Sequence, residues 1–322
     1  MSVQMTDRIA MAAAVLVAVV VIEARPAAAE MPRHVQDELD RIGYAITPQM
    51  IRATYELYVA ENRKAAKGGV KATRDVAYGS SPLQTLDVHQ PENRTAAPVV
   101  VFVHGGGFVE GNKTINAELF SNVPTYFARH GLVGVNMNYR LAPAAAWPAG
   151  AQDVGSAVAW LKDHAVEYSG DPARIFLLGY SAGATHVASY IFDRSLQPAS
   201  GSGVAGAIVL SGVYEVHPNY IVNIADNLKA YFGADESQYD SRSPLSHVPG
   251  SSLPVLVARA EHDPWYLGRG TEELKKALCN RDGRCPPFVQ LEHHSHISAP
   301  AAINTSDDQF GREVLAFVRD RG

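Results

Sequence analysis

Cysteine is almost missing from this 322-residue chain, and neither sign of charge dominates it: two Cys, 28 Lys and Arg, and 33 Asp and Glu give a formal net charge of -5. Two thiols cannot fill a tetrahedral zinc site by themselves, and no histidine pair lies near them at finger spacing. Without a basic field to gather phosphates, nucleic acid is excluded as the expected partner, and a small or neutral ligand fits better. Internal repeats are absent, as is low-complexity sequence beyond the first thirty residues. What is there is ordinary for a globular protein: 47% apolar and 19% charged residues can bury a substantial core. Sheet folds of mixed α/β type often run this long as one unit, so the expectation is one main domain with a small helical cap.

No apolar run reaches the roughly 20 residues that a membrane-spanning helix needs. The run at 9–22 follows Arg8 and leads to Pro26-Ala27-Ala28-Ala29, the layout of a secretory signal peptide over 1–29. A buried helix of a cytosolic protein would carry polar residues on one face, and this run has none. Export to the periplasm or the medium is therefore expected, with no stable membrane span once the leader is removed. An uncleaved leader acting as an anchor is the alternative. In an oxidising compartment Cys279 and Cys285, five polar or glycine residues apart, are expected to close a small-loop disulfide, two unpaired thiols being the alternative.

Over 30–70 the pattern is helical, with Val35, Leu39, Ile42, Ile51, Tyr55, Tyr58 and Val59 recurring mostly at three- and four-residue intervals, so this segment is read as a helical cap. Residues 73–78 and 84–89 alternate and flank the turn Gly79-Ser80-Ser81-Pro82, which predicts an antiparallel hairpin. Beyond it the character changes. Short continuous apolar runs at 98–103, 132–135, 175–178, 205–210, 253–257 and 288–291 suit strands buried on both faces of a parallel sheet. Helix-like stretches at 118–130, 149–168, 183–192, 271–278 and 308–319 alternate with them. Such alternation predicts βαβ units over 71–322, a mostly parallel central sheet flanked by helices.

Gly179-Tyr180-Ser181-Ala182-Gly183 follows one of these runs and opens a helix rich in small residues. That is the context of a nucleophile elbow, in which Ser181 occupies a strained strand-to-helix turn that projects its hydroxyl, while side chains at the glycine positions would strike backbone. His104-Gly105-Gly106-Gly107-Phe108 lies directly after another run and has the form of an oxyanion loop. Gly106 and Gly107 are its candidate backbone donors, with Ala182 as the third. A phosphate-binding loop would close with Lys and Ser or Thr; here Phe108-Val109-Glu110 follows.

Taken in order, His104-Gly105-Gly106-Gly107, Tyr139-Arg140-Leu141-Ala142-Pro143, Gly179-Tyr180-Ser181-Ala182-Gly183 and Glu261-His262-Asp263-Pro264 make the chain similar to the hormone-sensitive-lipase-like branch of the α/β-hydrolase fold. Ser211-Gly212-Val213-Tyr214, and Tyr231-Phe232-Gly233 leading to Ser243-Pro244-Leu245, resemble small carboxylesterases related to kynurenine formamidase. Tyr180 departs from the branch, which often has an acidic residue or histidine there. The resemblance implies a serine carboxylesterase with a Ser, Asp, His triad, no cofactor and no metal. Asp263, in the loop beyond the run at 253–257, is the expected acid and Glu261 its competitor. The expected base is His296, at the family's position within Glu292-His293-His294-Ser295-His296; His293 and His294 compete for the role. A zinc reading of this histidine cluster is outweighed by the whole hydrolase constellation. His104 is expected to be structural, and Arg140 to pair with Asp153.

Phe108, Tyr180 and Trp265 are the candidate substrate-binding residues, and Trp147 also flanks the motifs. The partner that this reading implies is a small-molecule ester of short to medium chain length. An aryl formamidase or amidase using the same residues, and a catalytically silent ligand binder like the gibberellin receptors, are the rival expectations.

Overall fold

The computed structural model describes residues 31–218 and 225–321; the expected leader over 1–29 lies outside them. The helical pattern at its start resolves into two helices, α1 (Arg33–Ile42) and α2 (Pro48–Lys64). The chain turns at Gly43, and Thr47 opens α2 by accepting a hydrogen bond from the Met50 N–H. These helices are tied to the body by buried polar contacts. Tyr58 donates to Asp307 at 3.0 Å and the Asn62 amide donates to the Ala301 carbonyl at 2.9 Å.

Next come β1 (Val70–Ala77) and β2 (Thr85–Pro91), the expected antiparallel hairpin, and then β3 (Ala97–Val103), α3 (Asn122–Arg129) and β4 (Val133–Met137). Helix α4 (Ala149–His164) leads to β5 (Gly170–Tyr180), which runs straight into α5 (Ala182–Phe192). After β6 (Gly206–Leu210) come α6 (Ala225–Phe232) and α7 (Tyr239–Arg242). The chain closes with β7 (Val255–His262), α8 (Trp265–Asp282), β8 (Phe288–Ser295), α9 (Ser298–Ala301) and α10 (Gln309–Arg319).

The eight strands form one sheet in the order β1-β2-β4-β3-β5-β6-β7-β8, with only β2 running against the others. Its interior explains the unbroken apolar runs. Val99, Val101 and Val103 of β3 pack on the α4 and α5 side, whereas Val100 and Phe102 pack on the α3 and α10 side. A strand covered on both faces cannot alternate apolar with polar residues. Each fully buried side chain of this kind contributes about 1.5 to 3 kcal/mol.

Two boundaries differ from the sequence expectation in ways that matter for the site. Helix α8 begins at Trp265 rather than 271, because Gly268 and Gly270 dilute the helical signal of its first turns without stopping the helix. Strand β8 continues to Ser295 rather than ending at 291, so His293 and His294 belong to the strand and only His296 follows it. The C-terminal ends of β3, β5, β6, β7 and β8, neighbours in the sheet, then deliver His104, Ser181, Ser211, Asp263 and His296 to one edge. That edge is where open α/β sheets place their ligand sites.

Candidate active site

Ser181 sits between β5 and α5 with φ 54 and ψ -123, a backbone conformation that costs about 1 to 3 kcal/mol for a residue with a side chain. The surroundings hold it there. Its N–H donates to the Leu210 carbonyl at 2.9 Å, and α5 approaches β3 so closely that a Cβ on Gly183 would lie 2.1 Å from the Val103 carbonyl oxygen. Only glycine fits at 183.

The side chain of His296 spans Ser181 and Asp263. Its Nδ1 donates to Asp263 Oδ1 at 2.8 Å, which leaves Nε2 to accept from the Ser181 hydroxyl at 3.0 Å. The second oxygen of Asp263, Oδ2, accepts from the Ser211 hydroxyl at 2.6 Å and from the Ala260 N–H at 3.0 Å. Tyr180 donates to the His296 carbonyl at 3.0 Å, bracing the backbone of the imidazole.

The competitors are engaged elsewhere. Glu261 accepts from the His293 N–H at 2.7 Å, and His293 Nδ1 accepts from Gln36 of α1 at 3.2 Å. His294 is buried, with Nδ1 3.0 Å from the Ser298 hydroxyl and Nε2 3.5 Å from Asp307. The His293 ring meets Gln36 whereas the His294 ring meets Ser298 and Asp307, so the two diverge instead of converging on one ion or one substrate.

Loop residues 104–112 run past the nucleophile: a Cβ on Gly105 would lie 2.9 Å from Ser181 Cβ. Gly106, at φ 128, leaves no space for a side chain, since its Cβ would stand 1.9 Å from the Glu110 carbonyl oxygen. Gly107 follows at φ 55, and Ala182 is the first residue of α5, where a backbone N–H has no acceptor within its own helix. His104 supports the loop from below, with Nδ1 donating to the Gly105 carbonyl at 2.6 Å and its ring stacked on Tyr139 at 4.4 Å. Burial pushes its pKa down to about 4, so it is a neutral structural donor. Arg140 forms a 2.7 Å ion pair with the fully buried Asp153, fixing the chain beyond β4.

Ser181, His296 and the loop glycines open into a cavity of about 810 Å³. One wall comes from the N-terminal segment through Tyr44, Ile51 and Tyr55, and the other from Val213, Asn227, Tyr266 and Leu267. Tyr44 stacks on His262, the neighbour of Asp263, at 3.6 Å between ring centres. Burial and the nearby Glu110 carboxylate push the Tyr55 hydroxyl up to about 12, so it faces the cavity protonated.

Of the three candidate substrate-binding residues, Phe108 and Tyr180 border this cavity and Trp265 does not. Its side chain is 63% exposed, and Tyr266 supplies the wall instead, because adjacent helix positions point about 100° apart. Trp147 is also away from the cavity, under the Arg242 guanidinium at 5.2 Å. Ser211, Asn227 and the N-terminal wall residues were not singled out as site residues from sequence. Ser211 had a usable signal, a hydroxyl directly after an apolar run. The wall residues had none, since they look like the apolar face of any helix.

Residues 86–192 match the family model described as BD-FAE. Esterase LipQ of Mycobacterium tuberculosis is 26% identical over 251 residues, which covers 70% of this chain and 56% of the relative. Esterase LipC of the same organism is 37% identical over 208 residues, covering 59% and 51%. The chain spans about half the length of such curated relatives. A solved esterase of the bacterial hormone-sensitive lipase family superposes with a TM-score of 0.65 at 18% identity, over 92% of this chain and 99% of that one. The fold is that of the α/β-hydrolases.

Proposed function

We propose that this chain, an α/β-hydrolase by fold, is a serine carboxylesterase that cleaves short- to medium-chain carboxylic esters through Ser181, His296 and Asp263. One observation carries the reading: a single imidazole bonded to Asp263 at 2.8 Å and to the Ser181 hydroxyl at 3.0 Å, beside the cavity floor. A silent binder would have no need of that alignment.

The mechanism follows from the donors and acceptors. As Ser181 Oγ attacks the ester carbonyl, its proton passes to His296 Nε2, and Asp263 stabilises the imidazolium. The oxyanion faces the N–H groups of Gly106, Gly107 and Ala182, each of which would contribute ~3 kcal/mol of transition-state stabilisation. Nε2 then protonates the departing alkoxide, and an alcohol leaves. Water attacks the acyl-enzyme after yielding a proton to the same nitrogen, and collapse returns Ser181 and releases the acid.

The cavity of about 810 Å³ supports a compact substrate, since it is closed on one side by the N-terminal helices and on the other by α8. We further propose that the enzyme works after export, a reading supported by the leader-like 1–29 and by the Cys279–Cys285 bond.

The test is a fluorophosphonate label traced by peptide mass spectrometry, together with turnover on p-nitrophenyl esters and matched anilides. Labelling of Ser181, loss of ~10⁶ in turnover in a folded Ser181→Ala variant, and ester rates that peak between roughly two and eight acyl carbons are expected. Labelling elsewhere, or Ser181→Ala activity within tenfold of the parent, would overturn the reading. Faster turnover of the anilides would replace the esterase by an amidase.

A further inference from the structure

Lys113 is almost fully buried, at 5% exposure, yet it lines no part of the cavity. Its ammonium lies 2.7 Å from Asp87 Oδ1 and 2.7 Å from Asp75 Oδ1, both on the β1–β2 hairpin. The backbone at the same residue is held as well. Its N–H donates to Asn138 Oδ1 at 2.5 Å, and its carbonyl accepts from the Asn136 amide at 2.6 Å. Asn136 pairs with Asp87 across β4 and β2, so all of these anchors belong to one edge of the sheet.

This arrangement has a local cost, and the site gives a reason for it. Asp87 is completely buried, and its Oδ1 also accepts from the N–H of Asp75 at 2.8 Å. Asp75 itself sits at φ 54, where the pairing of β1 with β2 slips register. A buried carboxylate and a left-handed aspartate are an expensive way to hold a surface loop. The loop in question, however, runs from His104 to Lys113 and carries Gly106 and Gly107. At its first end it is held by His104, whose carbonyl accepts from Tyr139 at 2.8 Å. At its second end Lys113 is the anchor. Between them Gly106 accepts from the N–H groups of Val109 and Glu110, so displacement of one end is passed to the glycines.

We propose that Lys113 is a positioning residue, which keeps the Gly106 and Gly107 N–H groups in register with Ser181 by pinning the far end of their loop to Asp75 and Asp87. It touches no substrate. The proposal rests on the esterase reading for its catalytic consequence but not for its structural one, and the two are measured separately. Oxyanion donors act on the transition state far more than on the bound ester, so loosening them lowers kcat and leaves KM nearly unchanged.

The experiment compares the parent with Lys113→Met, which keeps the stem and removes the charge, and with Asp75→Asn, whose carboxylate is exposed. The double variant K113M/D87N removes both buried charges together, in case Asp87 left alone prevents folding. For the folded variants the readouts are kcat and KM on a p-nitrophenyl ester, inhibition by a trifluoromethyl ketone, and amide exchange of the peptide over 105–112. Loss of Lys113 should lower kcat roughly 10- to 100-fold with KM within about threefold, and weaken the ketone, which forms an oxyanion on Ser181, by a similar factor. Exchange over 105–112 should speed up, and Asp75→Asn should show the same changes at smaller amplitude. A folded charge-deleted variant with parental kcat overturns the proposal, as does a rise in KM at constant kcat. If the parent hydrolyses no ester, the esterase reading fails on its own, and unchanged exchange over 105–112 would then refute the clamp.

Discussion

Ser211 donates its hydroxyl to Asp263 Oδ2 at 2.6 Å, on the oxygen opposite the one that receives His296. The two residues come from the ends of neighbouring strands, β6 and β7, and Ser211 adopts φ 55 to make the contact. Asp263 Oδ2 thus accepts from both Ser211 and the Ala260 N–H, so the carboxylate is oriented by more than His296.

Removing that hydroxyl should slow catalysis without unfolding the protein. Hydrogen bonds to a charged group contribute about 1.5 to 3 kcal/mol, and Asp263 Oδ2 keeps its bond from the Ala260 N–H in Ser211→Ala. The expected result is a fall in kcat of roughly tenfold with KM little changed, measured at steady state on a soluble ester. Rates within twofold of the parent would show that Asp263 is oriented without Ser211.

The buried imidazole of His186 should make the fold sensitive to acid. Among the described residues neither of its ring nitrogens has a hydrogen-bond partner, its ring lies among Phe108, Tyr139 and Tyr231, and burial, helped by His104, pushes its pKa from 6.5 to about 3. The unfolded chain takes up a proton near pH 6.5 and the folded one only near 3. Its stability contribution is therefore complete above 6.5 and is lost as pH falls between those values. By pH 5 the loss amounts to about 2 kcal/mol. His186→Leu keeps an apolar side chain in place and should flatten this part of the denaturant-midpoint profile. A variant whose midpoint drops as steeply as the parent's would exonerate His186.

Substrate recognition should follow Tyr266 and not Trp265. Truncating Tyr266 removes part of the cavity wall, so Tyr266→Ala should raise KM for a medium-chain ester several-fold, at about 0.8 kcal/mol for each substrate methylene left in water. Trp265→Ala removes a side chain outside that wall and should leave KM within about twofold. The opposite ranking in parallel steady-state assays would move the wall to Trp265.

Protein recovered from an exporting host should carry Cys279 bonded to Cys285, as the structure has it. The sequence separation is only 6, so the bond should stabilise by less than the ~3 kcal/mol of a fifteen-residue loop, and reduction should lower the melting midpoint by a few degrees at most. Intact mass after alkylation without reductant decides it: two alkylated thiols would refute the bond.

What the sequence determined by itself is whatever depends on near neighbours in the chain. A strand covered on both faces must be continuously apolar, which is why Val99 to Val103 reads as β3 before any packing is known. A turn that needs glycines at fixed offsets shows itself as Gly179-Tyr180-Ser181-Ala182-Gly183, and the junction of β5 with α5 does fall on Ser181. Tertiary structure alone decided which distant groups meet. Three histidines stand within four residues, and their roles separate only because β8 runs on to Ser295, sending His293 to Gln36, His294 to Asp307 and His296 to Ser181. Trp265 and Tyr266 are equally aromatic in sequence, and the angular position of α8 sorts wall from surface. Tyr55 above the cavity and Lys113 at the end of the glycine loop left no local mark, and Ser211 behind Asp263 left only a hydroxyl after an apolar run, because the contacts of Lys113 with Asp87 and Asp75 span 26 and 38 residues, that of Ser211 with Asp263 spans 52, and all arise only when the sheet edge assembles. Local patterning encodes backbone conformation and burial; the meeting of side chains across such separations is decided by strand order and register, which single-chain periodicity does not carry.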